Sequence, residues 1–513
     1  MISSSGSSGS GSLGNSSGSS TSSLIVFPID TTPDSFSFAA VTGAALNSSI
    51  TSEVITISGI NTAVPISILN GEYSINGGAF TSAAGTINNG QSVALRLVSA
   101  ATISTEKQAE ITISGVAISF LVTTTNILGG SVQGAQLNIA GVVTTMAGLP
   151  PDADGIGLTA NFNVPLGTVI VGPHLYVADA DNNKIRKIEI STGAVTTFAG
   201  SGIYGDADGV GTAAAFEQPS GITSDGTHLY IADTFNSKIR KIEIATGVVS
   251  TFAGSGVNGI SDGGGTAASF HSPRDITTDG TYLYVADTWG NKIRKIEIIT
   301  GIVTTLAGSG SEGNADGTGA AASFAYPRGI TTDGTYLYVA DTWGNKIRKI
   351  EIMTGIVTTL AGSDSEGNAD GIGVAASFAS PRGITTDGTH LYIADTGNHK
   401  IRKIEISTGV VTTLAGTGNY GIADGAGTAA NFRYPNGITI DGTNLYVADA
   451  ENHKIRKIDI ATGMVATLAG SGNAGTADGA GAAANFHYPS GITTDGFALY
   501  VTDSENNTIR KIE

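Results

Sequence analysis

A Tyr-x-x-Asp tetrad recurs every 54 residues through the C-terminal three quarters of the chain, ending at Asp179, Asp233, Asp287, Asp341, Asp395, Asp449 and Asp503. A fixed period of this length, built from short apolar runs and Gly-rich turns, predicts a repeat array such as a propeller or a solenoid. It also makes any residue that recurs in every copy structural by default.

The ends of the array discriminate between those two architectures. Six copies run complete, whereas the seventh stops after Ile509-Arg510-Lys511-Ile512-Glu513 without its last strand. That strand stands before the first copy, in Ile139 to Gly148; placed after Glu513 it nearly reproduces Ile244 to Gly254, one Thr shorter. A solenoid has no use for a split repeat. A ring does, because pairing the two ends leaves no seam of unpaired backbone. The sequence predicts an all-β seven-bladed β-propeller, closed by pairing of an N-terminal strand with the C-terminal blade.

Each copy parses into four strands. In the fourth, Gly329 to Thr332 is innermost and turns at Asp333-Gly334, a two-residue hairpin signal. Tyr336 to Ala340 is a nearly continuous apolar run, the pattern of a strand covered on both faces. Lys346 to Ile352 is third and Gly355 to Leu360 outermost. No sustained 3.6-residue apolar period predicts a long helix.

Pro-Arg-Gly-Ile, Leu-Tyr-Val-Ala-Asp-Thr, Asn-Lys-Ile-Arg-Lys-Ile and Thr-Gly-Ile-Val-Thr-Thr-Leu-Ala-Gly resemble the NHL-repeat propeller family over residues 136–513. The resemblance implies the propeller fold. For function it implies a wide class, from protein-binding, RNA-binding and sensor modules to metal-dependent enzymes on related six-bladed propellers. Seven copies depart from the commoner six.

Residues 1–23 are nearly all Ser and Gly and read as a disordered tether. Residues 24–125 hold short alternating strands at Glu53 to Ser58, Val64 to Ile68, Ser92 to Leu97 and Ala117 to Val122, with turns at Asn76-Gly77 and Asn89-Gly90. This pattern predicts a β-sandwich, and Tyr73 to Thr81 resembles Ig-like spacer domains of bacterial surface proteins. Residues 126–135 read as a linker.

Without cysteine, disulfides, thiolate chemistry and Cys-based metal sites are excluded. Net charge is −17, of which −4 falls in the first 135 residues and −13 in the repeats. An acidic surface argues against general nucleic-acid binding. No apolar run approaches a membrane span, and Met1-Ile2 leads straight into Ser and Gly without a signal peptide. The expectation is an exported protein, extracellular or at the cell surface, with its signal segment not present in this chain; a cytoplasmic location is the alternative.

The recurring polar residues read structurally. Each tetrad Asp is expected to accept backbone hydrogen bonds across the following turn. The Lys-x-Arg-Lys of each third strand reads as solvated edges and cross-strand ion pairs. Asp-Gly-x-Gly loops from Asp154 to Asp478 carry one carboxylate each, too few for calcium, and read as turns before an Ala-rich segment whose Phe fills the gap between blades.

Catalysis finds little support. His174, His228 and His390 stand where other copies have Tyr282 or Tyr336. His399 and His453 share one turn position, and His271 and His487 another, in blades read as not adjacent. No convergent zinc-ligand cluster, nucleophile elbow or aberrant carboxylate pair is visible. No catalytic residue, metal ligand or cofactor is assigned.

Departures from repetition supply the candidate site. In the turn after the second strand the copies carry Asp181, Phe235, Trp289, Trp343, Gly397, Glu451 and Glu505. After the Pro that opens the inner strand they carry Leu166, Ser220, Arg274, Arg328, Arg382, Asn436 and Ser490. Phe235, Trp289, Trp343, Arg274, Arg328 and Arg382 are therefore the candidate ligand-binding residues. Exposed Trp and Arg favour recognition through contact area, stacking and forked hydrogen bonds. The competing explanation is duplication, since Asp275 to Ser309 and Gly329 to Ser363 are almost identical. The expected function is a non-catalytic extracellular recognition or scaffold protein that contacts a protein or glycan at the cell envelope. The alternatives are a ligand-free structural surface module and a lyase or hydrolase using a central-channel metal. The residues specify no oligomeric state.

Overall fold

A computed structural model describes residues 29–39, 41–44, 49–99, 106–124, 137, 139–148 and 153–513. The expected tether at 1–23 and linker at 126–135 lie outside the described residues.

In the N-terminal unit, Val41–Ala44, Val116–Thr124, Glu106–Ile113, Val64–Leu69 and Gly85–Ile87 form one sheet in that order. Ser49–Thr51, Ser92–Val98, Ile55–Thr56 and Glu72–Ile75 form a second. Both sheets contribute to one core, Val64, Ile66, Ile111 and Phe120 from the first and Val93, Leu95 and Tyr73 from the second. The strand expected over Glu53 to Ser58 is shorter, reduced to Ile55–Thr56.

The rest of the chain repeats one sheet. In the fourth copy the order from inside out is Pro327–Thr332, Tyr336–Asp341, Lys346–Glu351, Ile356–Ala361 and Gly317–Thr318. The turn at Asp333-Gly334 forms because Gly334 adopts φ +88° and the Asp333 carboxylate accepts from the Thr335 and Tyr336 N–H groups. Leu337, Tyr338, Val339 and Ala340 are all fully buried. The expected covering of both faces holds, with Leu337 and Val339 packed against Tyr284 of the third copy and Tyr338 and Ala340 against Leu391 of the fifth.

Four strands were expected and five are present. The extra pair, Gly317–Thr318, comes from the Asp-Gly loop and pairs antiparallel with Val357 and Ile356. The loops are thus edge strands as well as turns. In copies two to seven each leads into a short 3-10 turn and then into a Phe with no exposed surface, Phe324 in this copy.

The segment before the first copy completes the seventh sheet. Val143 pairs with Ile512, Thr144 with Lys511, Thr145 with Arg510 and Ala147 with Ile509. At the inner edge, neighbouring copies approach closely. A Cβ on Gly221 would stand 2.5 Å from the Arg274 carbonyl oxygen, and one on Gly491 would stand 2.8 Å from that of Leu166. The second contact sets the inner strand of the last copy beside that of the first.

The buried polar framework differs most from expectation. Arg186, Arg240, Arg294, Arg348, Arg402, Arg456 and Arg510 are fully buried, although Lys-x-Arg-Lys was read as a solvated edge. Both faces of these strands are covered, so consecutive residues such as Ile347 and Arg348 both leave water. Burial of arginine requires pairing. Every one of them joins its tetrad Asp at 2.8–3.1 Å and its loop Asp at 2.7–3.0 Å.

The second copy shows the details. Asp233 Oδ1 accepts from the Glu217 N–H at 2.8 Å, and Oδ2 accepts from Asn236 Nδ2 and Arg240 Nη1. The backbone bond thus comes from the segment entering the sheet, not from the turn that follows. Arg240 also donates to the Ala207 and Ala215 carbonyls and lies 5.0 Å from the Phe216 ring centroid. Burial pushes the Asp233 carboxyl up to about 6 against the pull of Arg240.

Candidate ligand-contact face

The register brings the two variable positions together. Pro273 pairs with Asp287 and Pro327 with Asp341. The residue after each Pro and the turn after each Asp therefore share one end of the sheet. Main-chain bonds fix the turns: the N–H groups of Phe235, Trp289 and Trp343 donate to the carbonyls of Glu217, His271 and Ala325. Their side chains are free to project, and they are 49%, 46% and 51% exposed.

Both tryptophans meet on Tyr326, which the sequence reading missed. Tyr326 stacks on Trp343 at 4.2 Å with the rings 10° from parallel. Trp289 meets Tyr326 edge-on at 4.8 Å and Trp343 at 6.1 Å. His271 flanks Trp289 at 6.1 Å. Among the described residues, Phe235 shares no ring contact with this group. Tyr326 holds φ +58° just before Pro327, and its N–H donates to Asn291 Oδ1 of the preceding copy. Tyr326 is buried and packed against both rings, and close packing leaves a side chain little freedom, so Tyr326 forms a rigid seat beneath the two indoles. The signal was present in the sequence: the residue before the inner-strand Pro varies, and Ser272 stands where the next copy has Tyr326. Tyr326 also lies outside the duplicated stretches.

The arginines lie beside this stack. The Arg328 guanidinium is 5.0 Å from the Tyr326 ring centroid. Arg274 interacts electrostatically with Tyr326, and Arg382 with Tyr488 of the seventh copy. Burial and the nearby charge of Arg328 hold Arg274 and Arg382 below the usual guanidinium range. The Nε atoms of all three are buried without a hydrogen-bond partner.

Acids occupy three of the four remaining copies, and the fifth carries Gly397. The Glu505 N–H donates to His487 O, Glu451 pairs with Arg433 at 2.9 Å, and burial together with Glu505 raises the Asp181 carboxyl. The histidine reading needs one correction. His453 and His487 come from adjacent copies and meet at 5.3 Å, because the turn of the sixth copy faces the entry loop of the seventh. Burial, His487 and Arg433 lower His453, whose Nδ1 accepts from the Tyr488 N–H. His228 and His390 lie beside Asp225 and Asp387. Among the described residues no group of three His, Asp or Glu side chains is arranged to hold a metal, and no helix is long and apolar enough to cross a membrane.

The NHL repeat matches residues 432–458 and the LVIVD repeat residues 272–291. The matches support an NHL-repeat family. NHL repeat-containing protein 2 of Homo sapiens is 32% identical over 337 residues, covering 58% of this chain and 46% of that protein. The Arabidopsis thaliana protein SUPPRESSOR OF QUENCHING 1, chloroplastic, is 34% identical over 310 residues, covering 56% of this chain and 29% of that protein. The chain thus spans about half the length, or less, of these curated relatives. Among solved structures, a Bacteroides thetaiotaomicron protein of unknown function is 17% identical, with 95% and 98% of the two chains covered and a TM-score of 0.44. The fold is all-β, made of repeated five-stranded sheets of β-propeller type.

Proposed function

We propose that this chain is a non-catalytic recognition protein whose β-propeller contacts a protein or glycan through the face bearing Trp289 and Trp343. One observation carries the reading: two half-exposed indoles from adjacent copies are seated on a buried, conformationally fixed Tyr326. A solvent-exposed aromatic pair held rigid offers contact area at low entropic cost. Duplication alone does not account for it, because Tyr326 belongs to neither copied stretch.

The recurrence of the five-stranded sheet and the pairing of Val143 with Ile512 support the closed, seven-bladed reading. The two sheets around one core support an Ig-like sandwich as the spacer, and with it a place outside the cell or on its surface.

The double variant Trp289→Ala with Trp343→Ala tests the proposal. It is expected to abolish binding on a glycan array or to isolated envelope proteins while the thermal midpoint stays nearly unchanged. Binding that survives the change, or no ligand for the unaltered chain, would favour a ligand-free structural module. A stoichiometric metal that resists chelation and dialysis would favour the enzyme alternative.

A further inference from the structure

The chain has twelve arginines, and nine of them face a carboxylate. The three others are Arg274, Arg328 and Arg382. Among the described residues, no carboxylate lies within ion-pair distance of these three. Arg274 and Arg328 each follow the Pro that opens an inner strand, and Arg382, also just after a Pro, stands two residues before the inner strand Ile384–Thr386 of the next copy. At the axis the backbones of these strands nearly touch, since a Cβ on Gly329 would collide with the Arg382 carbonyl oxygen. Arg382 reaches Tyr488 across the inner end, and Arg274 reaches Tyr326.

Three guanidiniums gathered without counter-charge, in a protein of net charge −17, form an incomplete electrostatic arrangement. Their partly withdrawn setting strengthens attraction for an anion. Guanidinium forks match the paired oxygens of carboxylate, phosphate or sulfate. Unlike the seven buried arginines, whose Nη atoms are used up by two Asp and two carbonyls, these retain donors for a ligand.

We infer that the inner end of copies three to five is an oxyanion-binding site in which Arg274, Arg328 and Arg382 receive a carboxylate, phosphate or sulfate group. The inference rests on reading this face as the contact surface, and it specifies the chemistry of the contact. The ligand's charged group enters among the guanidiniums while its body lies along the Trp343–Tyr326 stack. The same chemistry serves a free anion or a charged group on a glycan.

Both tryptophans of the chain stand at this site, so intrinsic tryptophan fluorescence reports on it alone. The full chain is titrated with inorganic phosphate, inorganic sulfate and citrate against chloride at matched ionic strength. A hexuronate tetrasaccharide and its carboxyl-reduced form are added as further arms. The expected result is a saturable emission change that weakens with added salt. The combined change Arg274→Gln, Arg328→Gln and Arg382→Gln should weaken it by about tenfold or more, whereas Arg433→Gln leaves it intact. If the triple variant loses its far-ultraviolet dichroism, Arg382→Gln alone should still weaken binding roughly threefold. Stronger response to the tetrasaccharide than to its reduced form or to the free anions assigns the site to an acidic glycan; equal response to free anions assigns it to those. A response no larger than that to chloride, or one that persists in the arginine variants, overturns the inference. Capture of a ligand that needs the tryptophans but not the arginines overturns the inference and leaves the recognition reading standing.

Discussion

Arg294 and Asp287 sit 3.1 Å apart with no exposed side-chain surface on either. The pair and its six counterparts hold the entry segment, the second and third strands and the outer loop of each sheet at one point. Burial pushes the Asp287 carboxyl up to about 7, while Arg294 and the His271 N–H pull it down.

Removing one partner should therefore cost more than removing both. Arg294→Met leaves Asp287 and Asp262 without their shared guanidinium, and should destabilise by about 3–5 kcal/mol. Adding Asp287→Leu is expected to recover part of that loss. Thermal melts of the single and double variants check this, and a double variant worse than the single would contradict it.

Close approach at the axis gives a second expectation. Gly221→Ala would force backbone apart at the Arg274 carbonyl, the Asp275 Cα and the Ile276 N. A loss of roughly 1–3 kcal/mol is expected. Gly319→Ala has open space around its Cβ and only a positive φ to contend with, so it should cost about 1 kcal/mol. Comparing the two midpoints separates steric crowding from backbone strain.

Asp275 stands where the other six copies have Gly. Its carboxylate accepts from the N–H groups of Ile330 and Ile276, and burial raises it to about 6. A group raised on folding favours the folded chain most below its unfolded value near 4, and that contribution fades as pH rises through about 6. Asp275→Asn should therefore gain stability relative to the parent between pH 4 and 7.5, on the order of 1–3 kcal/mol. A midpoint difference that does not change with pH would refute this.

Tyr326→Ala should release Trp343 from its stacking partner. A loss of about 0.5–1.5 kcal/mol beyond area burial is expected, with red-shifted tryptophan emission and stronger acrylamide quenching. Unchanged emission would mean that Tyr326 does not seat the indoles.

Spacing is a property of the linear sequence, so the repeats, the hairpin at Asp333-Gly334 and the segment that completes the last sheet were all legible. The role of Arg348 was not. Strand-pattern reasoning assumes one wet face, and in these sheets neighbours cover both, so a charge beside Ile347 goes inside with its carboxylates. The pairing of Asp316 with Arg348 spans a turn and two strands, beyond the reach of any local pattern. For the site, exposure of Trp289 and Trp343 was legible from their turn position. Their convergence on Tyr326 was not, since it depends on how adjacent copies fit together. Proximity of His453 to His487 was missed for the same reason.

Val143 and Ile512 are separated by most of the polypeptide yet share one ladder. On a ribosome, the strand containing Val143 emerges early and must wait for the one containing Ile512. Until then the first and last copies keep naked edges. The last sheet can complete its ladder only after Ile512 has left the exit tunnel, so that ladder is sealed late, after the preceding sheets are already available to fold.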